Sequence, residues 1–430
     1  MNLRLRRLRE ALRTSLWAVP TLATAVAALL AVALLAIDRR VADLDGTQFG
    51  FSGGPGAASD LLGTIATSVL SVAGVVFSIT MLVLQQASRQ LSPRVMRTFL
   101  RDWPSQLTLG AFISTFAYAM IVLSQVRTVD ELAFAPGLAT WGALALTAVS
   151  VGMFVMFIHH VATSLQPTTV IGRVGRETAA ALDPPYPGGI GDDADPDAAP
   201  PDGPPDRTLD WDGRAGTLTA IDGQGLLEWA ASHDAVVVLR LQVGHYVTTG
   251  TPLLDVWCDD HDAIEAIDLD ALVGTGRERT MVDDPVFGFR QLVDIAVRAL
   301  SPGVNDPTTA VQVLDELHDR LRQLATVEIP SACRTDDGVL RLVLPRPEWD
   351  DYLALAVDEI RHHAERASHV LHRLGAMLAD LDTVVPEHRG ELLAEERRLV
   401  VSTVDRVFAD RHDRQLVLRP IAGFVAEGDG

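Results

Sequence analysis

The sequence predicts an α-helical membrane protein: four transmembrane helices, followed by a cytoplasmic α+β region with a small β module and a helical hairpin. The chain combines 48% hydrophobic residues and a mean hydropathy of +0.20 with a net charge of −20, which a single soluble domain rarely does. Its longest apolar runs all precede residue 182. Its acidic residues are concentrated beyond that point, where 22 arginines stand against 47 acidic residues, compared with 14 and 9 in residues 1–182.

The composition also excludes several classes of function. An acidic second half is repelled by nucleic acid, so we expect no nucleic-acid partner. The chain contains no lysine, which excludes a Walker A lysine, Schiff-base chemistry and a lipoyl- or biotinyl-lysine. Cys258 and Cys333 have neither the number nor the spacing for a zinc site or a disulfide framework. The sequence therefore predicts no cofactor and no metal, and it offers no nucleophile and base that would indicate catalytic residues.

Four apolar runs are long enough to cross a bilayer, which requires roughly 20 residues in a helix. They extend over Leu16–Ile37, Leu61–Leu84, Leu107–Val126 and Leu138–Ile158, and none contains a charged residue. Arginines precede the first run, so a cleavable signal peptide is the alternative reading for it. Because this run is longer than a typical signal core and three further runs follow, we interpret it as a membrane anchor.

Arginines flank the four runs unevenly, and this asymmetry predicts the orientation. The richer side carries Arg4, Arg6, Arg7, Arg9, Arg13, Arg89, Arg94, Arg97, Arg101, Arg173 and Arg176. The other side carries only Arg39, Arg40 and Arg127, among acidic residues. Because arginine-rich flanks stay in the cytoplasm, both termini are predicted to be cytoplasmic, with membrane lipid as a partner.

The rest of the chain predicts three further regions. Residues 183–207 are acidic and rich in proline and glycine, which indicates a flexible linker or, less readily, an interaction tail. Residues 208–275 contain strand-like runs and predict the β module. Within it, glycines at 244 and 250 suit tight turns, with Val247 and Leu253 pointing inward. Residues 276–425 predict the helical α+β domain. The predicted four-helix transmembrane domain covers residues 1–182.

A polar loop follows the helix predicted over Phe287–Leu300, on which Asp294 and Arg298 are spaced to pair. In this loop Asp306 suits a helix N-cap, which indicates a simple helix–helix corner. A second interpretation is a ligand site. In it, Asn305 and Asp306 would meet the Gly276–Thr280 segment, whose two arginines, Arg277 and Arg279, could hold an anion beside a helix N-terminus.

Four stretches of the chain together resemble a known family. They are Phe77–Asp102, the Phe157–His160 end of the fourth run, the GRERT segment at 276–280, and Leu292–Ala310. The combination is similar to a family of bacterial membrane proteins termed domain of unknown function 2254, and it covers most of the chain except the linker. The resemblance implies an envelope membrane protein, located in the bacterial inner membrane, and leaves the biochemical activity open.

Beyond Pro347 the pattern predicts one long helix with an apolar heptad seam from Leu353 to Leu378. Residues 391–408 predict a second amphipathic helix, which would pair with the first as an antiparallel hairpin; a seam between subunits is the alternative. Four potential metal ligands lie close together on the long helix: His362, Glu365, His369 and His372. Since none occupies a seam position, we interpret them as a solvated face and predict no metal there.

The second apolar run carries a polar stripe. Projected at about 100° per residue, its hydroxyl, amide and glycine residues fall in one arc. They are Thr64, Thr67, Ser68, Ser71, Gly74, Ser78, Gln85 and Gln86, with Val75 and Leu82 interrupting them. Because polar groups facing lipid are unfavourable, this arc must meet protein or water. It is therefore either a packing seam of small residues or the wall of a pore, with Thr64, Ser71, Ser78, Leu82 and Gln85 as the pore-lining residues.

These features support three functional hypotheses. The leading one is a homo-oligomeric, channel-like membrane protein whose cytoplasmic half regulates or assembles it. The second is a membrane-tethered sensor or scaffold that binds a protein or a small anionic ligand. The third is a membrane enzyme that uses the polar loops between residues 277 and 306.

Overall fold

The computed structural model describes residues 17–45, 53–90, 103–127, 135–164, 166–183, 188–195, 198–281 and 284–421. The chain divides into two compact units, one ending at Gln166 and the other beginning at Pro167. The arginine-rich flanks at residues 1–16 and 91–102, and the acidic segment at 128–134, lie outside the described residues. The orientation predicted from those flanks therefore stays a prediction.

Four long helices make up the described part of the first unit. They are α1 (Ala18–Asp45), α2 (Gly54–Gln90), α3 (Trp103–Leu123) and α4 (Gly137–Ser164). Each is long and apolar enough to cross a membrane. The four apolar runs predicted from the sequence are thus confirmed as four helices.

Helix α3 is central in this unit. Half of its most apolar stretch is buried, whereas α1, α2 and α4 bury 22%, 22% and 17%, so the outer helices present most of their surface outward. Hydrogen bonds join α3 to α4: the hydroxyls of Thr115 and Ser150 lie 2.9 Å apart, and the Tyr118 hydroxyl donates to the carbonyl of Ala139 at 2.8 Å. Such bonds satisfy polar groups where water is absent.

An acidic residue of α1 caps α4. The Asp38 carboxylate is buried and accepts the backbone N–H groups of Leu138 and Ala139, each at 3.0 Å. The first N–H groups of a helix have no partner within the helix, and the helix dipole favours a negative charge there. Asp38 therefore stabilises the start of α4 and ties it to the end of α1.

The second unit begins with helix α5 (Pro167–Ala181), which buries Val170, Ile171 and Val174. It packs against the later helices α9 (Pro285–Leu300) and α10 (Pro307–Thr326). The compact units therefore divide at residue 166, although composition had placed the end of the four-helix region at residue 182. The physical reason is that α5 is amphipathic, so its apolar face is buried among other amphipathic helices.

In the described residues of this unit, nine strands form two sheets. The strands are β1 (Asp192–Asp193), β2 (Arg207–Asp210), β3 (Gly216–Ile221), β4 (Val236–Leu239), β5 (Tyr246–Val247), β6 (Pro252–Trp257), β7 (Val273–Gly276), β8 (Cys333–Asp336) and β9 (Val339–Val343). One sheet has the order β1-β8-β9-β4-β6-β2 and the other β5-β3-β7. All pairs are antiparallel except β4 with β9, which brings the distant 333–343 hairpin onto the β module.

Three short helices lie along these strands: α6 (Gly223–Ser232), α7 (His261–Glu265) and α8 (Leu269–Leu272). Helix α6 was not expected inside the β module; it starts where Asp222 caps the N–H of Gly225. The glycine pattern of the module holds as predicted, since Gly244 and Gly250 have φ of 96° and 84° while Val247 and Leu253 are fully buried.

Part of the segment predicted as a flexible linker is held on the sheet. Strand β1 pairs with β8, and Arg334, which is buried, forms an ion pair with Asp193. The thiol of Cys333 donates to the carbonyl of Ala198 at 3.2 Å. The composition of 183–207 could not reveal these partners because they come from more than a hundred residues later in the chain. Residues 184–187 and 196–197 lie outside the described residues.

The long helix predicted beyond Pro347 is two helices, α11 (Trp349–His363) and α12 (Ser368–Leu381). The chain breaks between them at residues 364–367 because α11 packs on α9 whereas α12 packs on α10. Helix α13 (Gly390–Val407) contacts both, and α14 (Arg411–Leu418) ends the unit. The heptad prediction was therefore wrong about one continuous helix, although its seam positions from Leu353 to Leu378 include fully buried residues on both sides of the break.

Candidate functional site

The polar stripe of α2 faces away from the other helices of its unit. Thr64, Thr67, Ser68, Ser71, Gly74, Ser78 and Gln85 are exposed, and Gln86 is half-buried. The two apolar residues that interrupt the stripe are also exposed, Val75 by 50% and Leu82 by 64%. Within the described part of the chain, the stripe is thus not a packing seam between the helices of one molecule.

The opposite face of α2 is the one that packs. Its buried residues are Ala58, Leu62, Ile65, Ala66, Val69, Ala73 and Val76. All of them except Ala58 join the apolar core formed with α1, α3 and α4. Since this face is occupied, the orientation of α2 is fixed, and the stripe is left on the outside of the four-helix unit.

The stripe hydroxyls have partners within α2. Those of Thr64, Thr67, Ser71 and Ser78 donate to carbonyls four residues earlier, at 2.7 to 2.9 Å. This bond satisfies the donor, which lowers the cost of exposing a hydroxyl to lipid. Each oxygen can still accept a hydrogen bond from water or from another chain.

The glycines on this side of α2 leave open space. A Cβ added at Gly63 or Gly74 would meet no atom within 4 Å. Contacts within the molecule therefore do not require glycine at these positions. Small residues four apart, such as Gly63, Thr67 and Ser71, allow the backbone of a neighbouring helix to approach closely.

The Arg279 side chain is engaged within the chain. Its Nε and Nη2 donate to the two oxygens of Asp284, both at 2.9 Å, and its guanidinium lies 5.3 Å from the ring centre of Phe287. Asp284 is buried and also caps α9 through the N–H of Phe287 at 3.1 Å. Burial raises the pKa of Asp284, although the bonds from Arg279 favour its charged form. This arginine joins the β7 end to the start of α9.

The structure does not bring the two predicted ligand loops together. Arg277 is exposed near the N-terminal end of α9, whereas Asn305 and Asp306 follow its C-terminal end. A helix of 16 residues is about 24 Å long. Asp306 caps α10 through the N–H and hydroxyl of Thr309, and Asn305 is exposed with φ of 52°. Asn305 and Asp306 therefore form the predicted helix–helix corner, and they do not meet the segment that contains Arg277 and Arg279.

The four potential metal ligands of the long helix are divided by its break. His362 lies on α11 and bonds the carbonyl of Asp358, whereas His372 lies on α12 and bonds that of Leu416. Glu365, in the break, pairs with Arg406. In the described residues no group of three or more histidine, cysteine, aspartate or glutamate side chains is arranged to hold a metal.

Four helices that are long and apolar enough to cross a bilayer, joined to a folded polar unit, define the class of multi-span predicted membrane proteins. The chain belongs to the family described as predicted membrane protein, domain of unknown function 2254, whose model matches residues 13–380. The resemblance noted in the sequence is thereby confirmed.

Relatives from mycobacteria match almost the whole chain. Uncharacterized proteins of Mycobacterium tuberculosis strain CDC 1551 / Oshkosh, Mycobacterium tuberculosis strain H37Rv and Mycobacterium bovis are each 35% identical over 418 residues. The match covers 95% of this chain and 79% of each relative. No solved structure matches the chain.

Proposed function

We propose that this chain is an inner-membrane protein with both termini in the cytoplasm, and that several copies assemble around a permeation pathway lined by the polar stripe of α2. The observation that carries the proposal is that the stripe is exposed while the opposite face of α2 is buried. A single molecule therefore leaves its most polar membrane-spanning surface uncovered.

Energetics favour covering this surface in the membrane. Polar side chains that face hydrocarbon are unfavourable, and they generally face a bundle interior or a water-filled cavity. Self-bonded hydroxyls reduce that cost, but the exposed amide of Gln85 carries two donors that only water or protein can satisfy. Copies arranged with α2 at the centre would meet this requirement.

The same surface would contain the gate. Val75 and Leu82 lie among the hydroxyls and are exposed with them. In a closed ring of copies, these two side chains would form apolar constrictions, and such constrictions close a pathway by excluding water. The pathway-lining residues are then Thr64, Ser71, Ser78 and Gln85, with Leu82 as a gate.

Single cysteines test the pathway. Ser71→Cys and Ser78→Cys in native membranes are expected to react with a small water-soluble thiol reagent. Val155→Cys on α4, whose native side chain is 63% exposed and apolar, is the lipid-facing control and is expected not to react. Cys258 and Cys333 are buried, so the unmodified protein supplies the background.

Two further measurements separate a pathway from a packing seam. Leu82→Ser is expected to increase ion leak through liposomes that contain the protein, because a polar side chain removes the barrier to water. Stripe cysteines that react no faster than Val155→Cys, but form disulfides between copies under oxidation, would show a packing seam. A monomer in detergent would contradict the assembly, and a membrane-tethered sensor would then be the better reading.

A further inference from the structure

A group of charged residues lies buried between α11 and α13 in the second unit. Glu396 of α13 is 2% exposed, and its Oε2 has no hydrogen-bond partner. Across the interface, Arg361 of α11 is 7% exposed. Its Nη2 donates to Asp358 at 2.7 Å and its Nη1 to the hydroxyl of Thr403 at 3.3 Å. Buried carboxylates normally have hydrogen-bond partners, so this one requires an explanation.

The charge around Glu396 is unbalanced. Asp358 and Arg361 act on it from α11, and Glu395 acts on it from its own helix. Toward α12, Arg397 pairs with Asp382 at 3.0 Å, and toward α14, Arg414 pairs with Asp405 at 3.6 Å. With Glu396 protonated, Asp358 and Arg361 neutralise each other. With Glu396 ionised, one guanidinium faces two carboxylates, of which that of Glu396 is buried and that of Asp358 is 42% exposed.

Burial and the neighbouring Asp358 raise the pKa of Glu396 to about 7, against an opposing contribution from Arg361. The proton therefore leaves within the range of cytoplasmic pH, where an ordinary glutamate is already ionised. Arg361 lies on the last turn of α11, directly before the break at residues 364–367. A change in α11–α13 packing would consequently act on the segment that joins α11 to α12.

We propose that the α11–α13 interface is a proton-responsive joint, which is closed while Glu396 is protonated and loosens when Glu396 loses its proton. Ionisation places a second negative charge beside Asp358 on a side chain that is buried from solvent, and opening lets that charge reach solvent. The partner of the switch is the proton itself. This property concerns the second unit and holds whether or not the chain forms a pathway.

The direction of the pH effect follows from linkage. The folded protein binds the Glu396 proton more tightly than the unfolded chain does, because its pKa is raised from 4.5 to about 7. The stabilisation that Glu396 contributes is therefore complete at pH values below its pKa in the unfolded chain. It is lost as the pH rises through its pKa in the folded protein. Between about pH 6 and about pH 8, opening that exposes Glu396 becomes about tenfold more favourable.

Hydrogen exchange on the full-length protein in detergent tests the joint. Protection factors, normalised for the intrinsic rate at each pH, are measured for amides of α11 and α13. In the unmodified protein they are expected to fall about tenfold from about pH 6 to about pH 8. In Glu396→Gln, which keeps the neutral form, they are expected to stay high at both values. Glu391→Gln, an exposed position on the same helix, is the matched control and is expected to behave like the unmodified protein.

Two outcomes would overturn the proposal. One is unmodified protein whose α11 and α13 protection does not change with pH. The other is Glu396→Gln that retains the full pH response of the control. If Glu396→Gln does not fold, Glu396→Met replaces it as an apolar side chain of similar length, and the same absence of a pH response is expected. The comparison of unmodified protein at the two pH values remains decisive in either case.

Discussion

An ion-pair network between α9 and α11 makes a quantitative prediction about stability. Asp294, on the apolar helix α9, was expected to pair with Arg298, four residues later, and that pair stays a prediction. The structure pairs Asp294 with Arg290, one turn earlier, with Nη2 2.7 Å from Oδ1. Arg290 also donates from Nη2 to Oε2 of Glu359 on α11 at 2.7 Å. The bonds to Glu359 and Asp294 raise the pKa of Arg290, so this group stays charged.

The burial of each partner sets the magnitudes. Arg290 is 18% exposed and Asp294 is 12% exposed, whereas Glu359 is 44% exposed. Arg290→Ala leaves Asp294 buried without this cation and should cost about 3 kcal/mol. Asp294→Ala should cost less, roughly 1–2 kcal/mol, because Arg290 keeps its bonds to Glu359. The exposed Glu391→Ala should change stability by less than about 0.5 kcal/mol.

Thermal unfolding of the second unit, followed in the detergent-purified chain, gives the measurement. For a unit of this size, about 1 kcal/mol corresponds to roughly 2–4 °C in Tm. The expected fall is therefore roughly 6–12 °C for Arg290→Ala. The double variant Arg290→Ala/Asp294→Ala should lose at least about 1 kcal/mol less than the sum of the single losses, because the second change removes the carboxylate that has lost its bond to Arg290.

Equal Tm values for Arg290→Ala and Glu391→Ala would refute the reasoning, since the network would then be solvated and without consequence. Additive losses in the double variant would refute it more narrowly. They would show that Arg290 stabilises α9 by packing of its alkyl chain and not through Asp294.

Three further predictions follow from single contacts. Asp38→Ala should lower the melting temperature of the four-helix unit by removing the cap of α4, a loss of roughly 1–2 kcal/mol, whereas Asp38→Asn should restore part of it. Gly244→Ala should destabilise the β module, because φ there is 96° and a Cβ would lie 2.7 Å from the guanidinium of Arg279. Gly250→Ala, with open space around it, is the milder control, and equal losses of stability in the two variants would contradict the steric argument. Asp202→Cys should be protected from an impermeant thiol reagent in intact cells and labelled after permeabilisation, and labelling without permeabilisation would reverse the orientation.

Local sequence determined much of the fold. Four uncharged runs predicted four long helices because helix length and side-chain hydropathy are properties of each segment alone. The turn before α10 followed from Asp306 and Pro307, whose capping role depends on residues three positions away. The turn between β8 and β9 also rests on local residues, since Asp337 and Gly338 both have positive φ.

Tertiary structure decided which partners these segments have. The pattern beyond Pro347 read as one helix, but α11 and α12 pack on different neighbours, so the chain breaks at residues 364–367. Acidic, proline-rich composition indicated a free linker, yet a buried arginine from β8 holds Asp193. Such partners lie far apart in sequence, and no local pattern carries their identity.

In the stripe of α2, the contributions of local sequence and of tertiary packing can be separated within one helix. Its helical period alone predicted that the hydroxyls share a face, because side-chain direction repeats with the turn of the helix. Whether that face points inward or outward depends on how α2 packs in the unit, where Val69 and Val76 take the buried side. Likewise, the sequence marks Glu396 only as one acid among many in an acidic half. Its burial beside Asp358 and Arg361 exists only once α11 and α13 are packed, because proximity between helices, and not residue type, shifts the pKa.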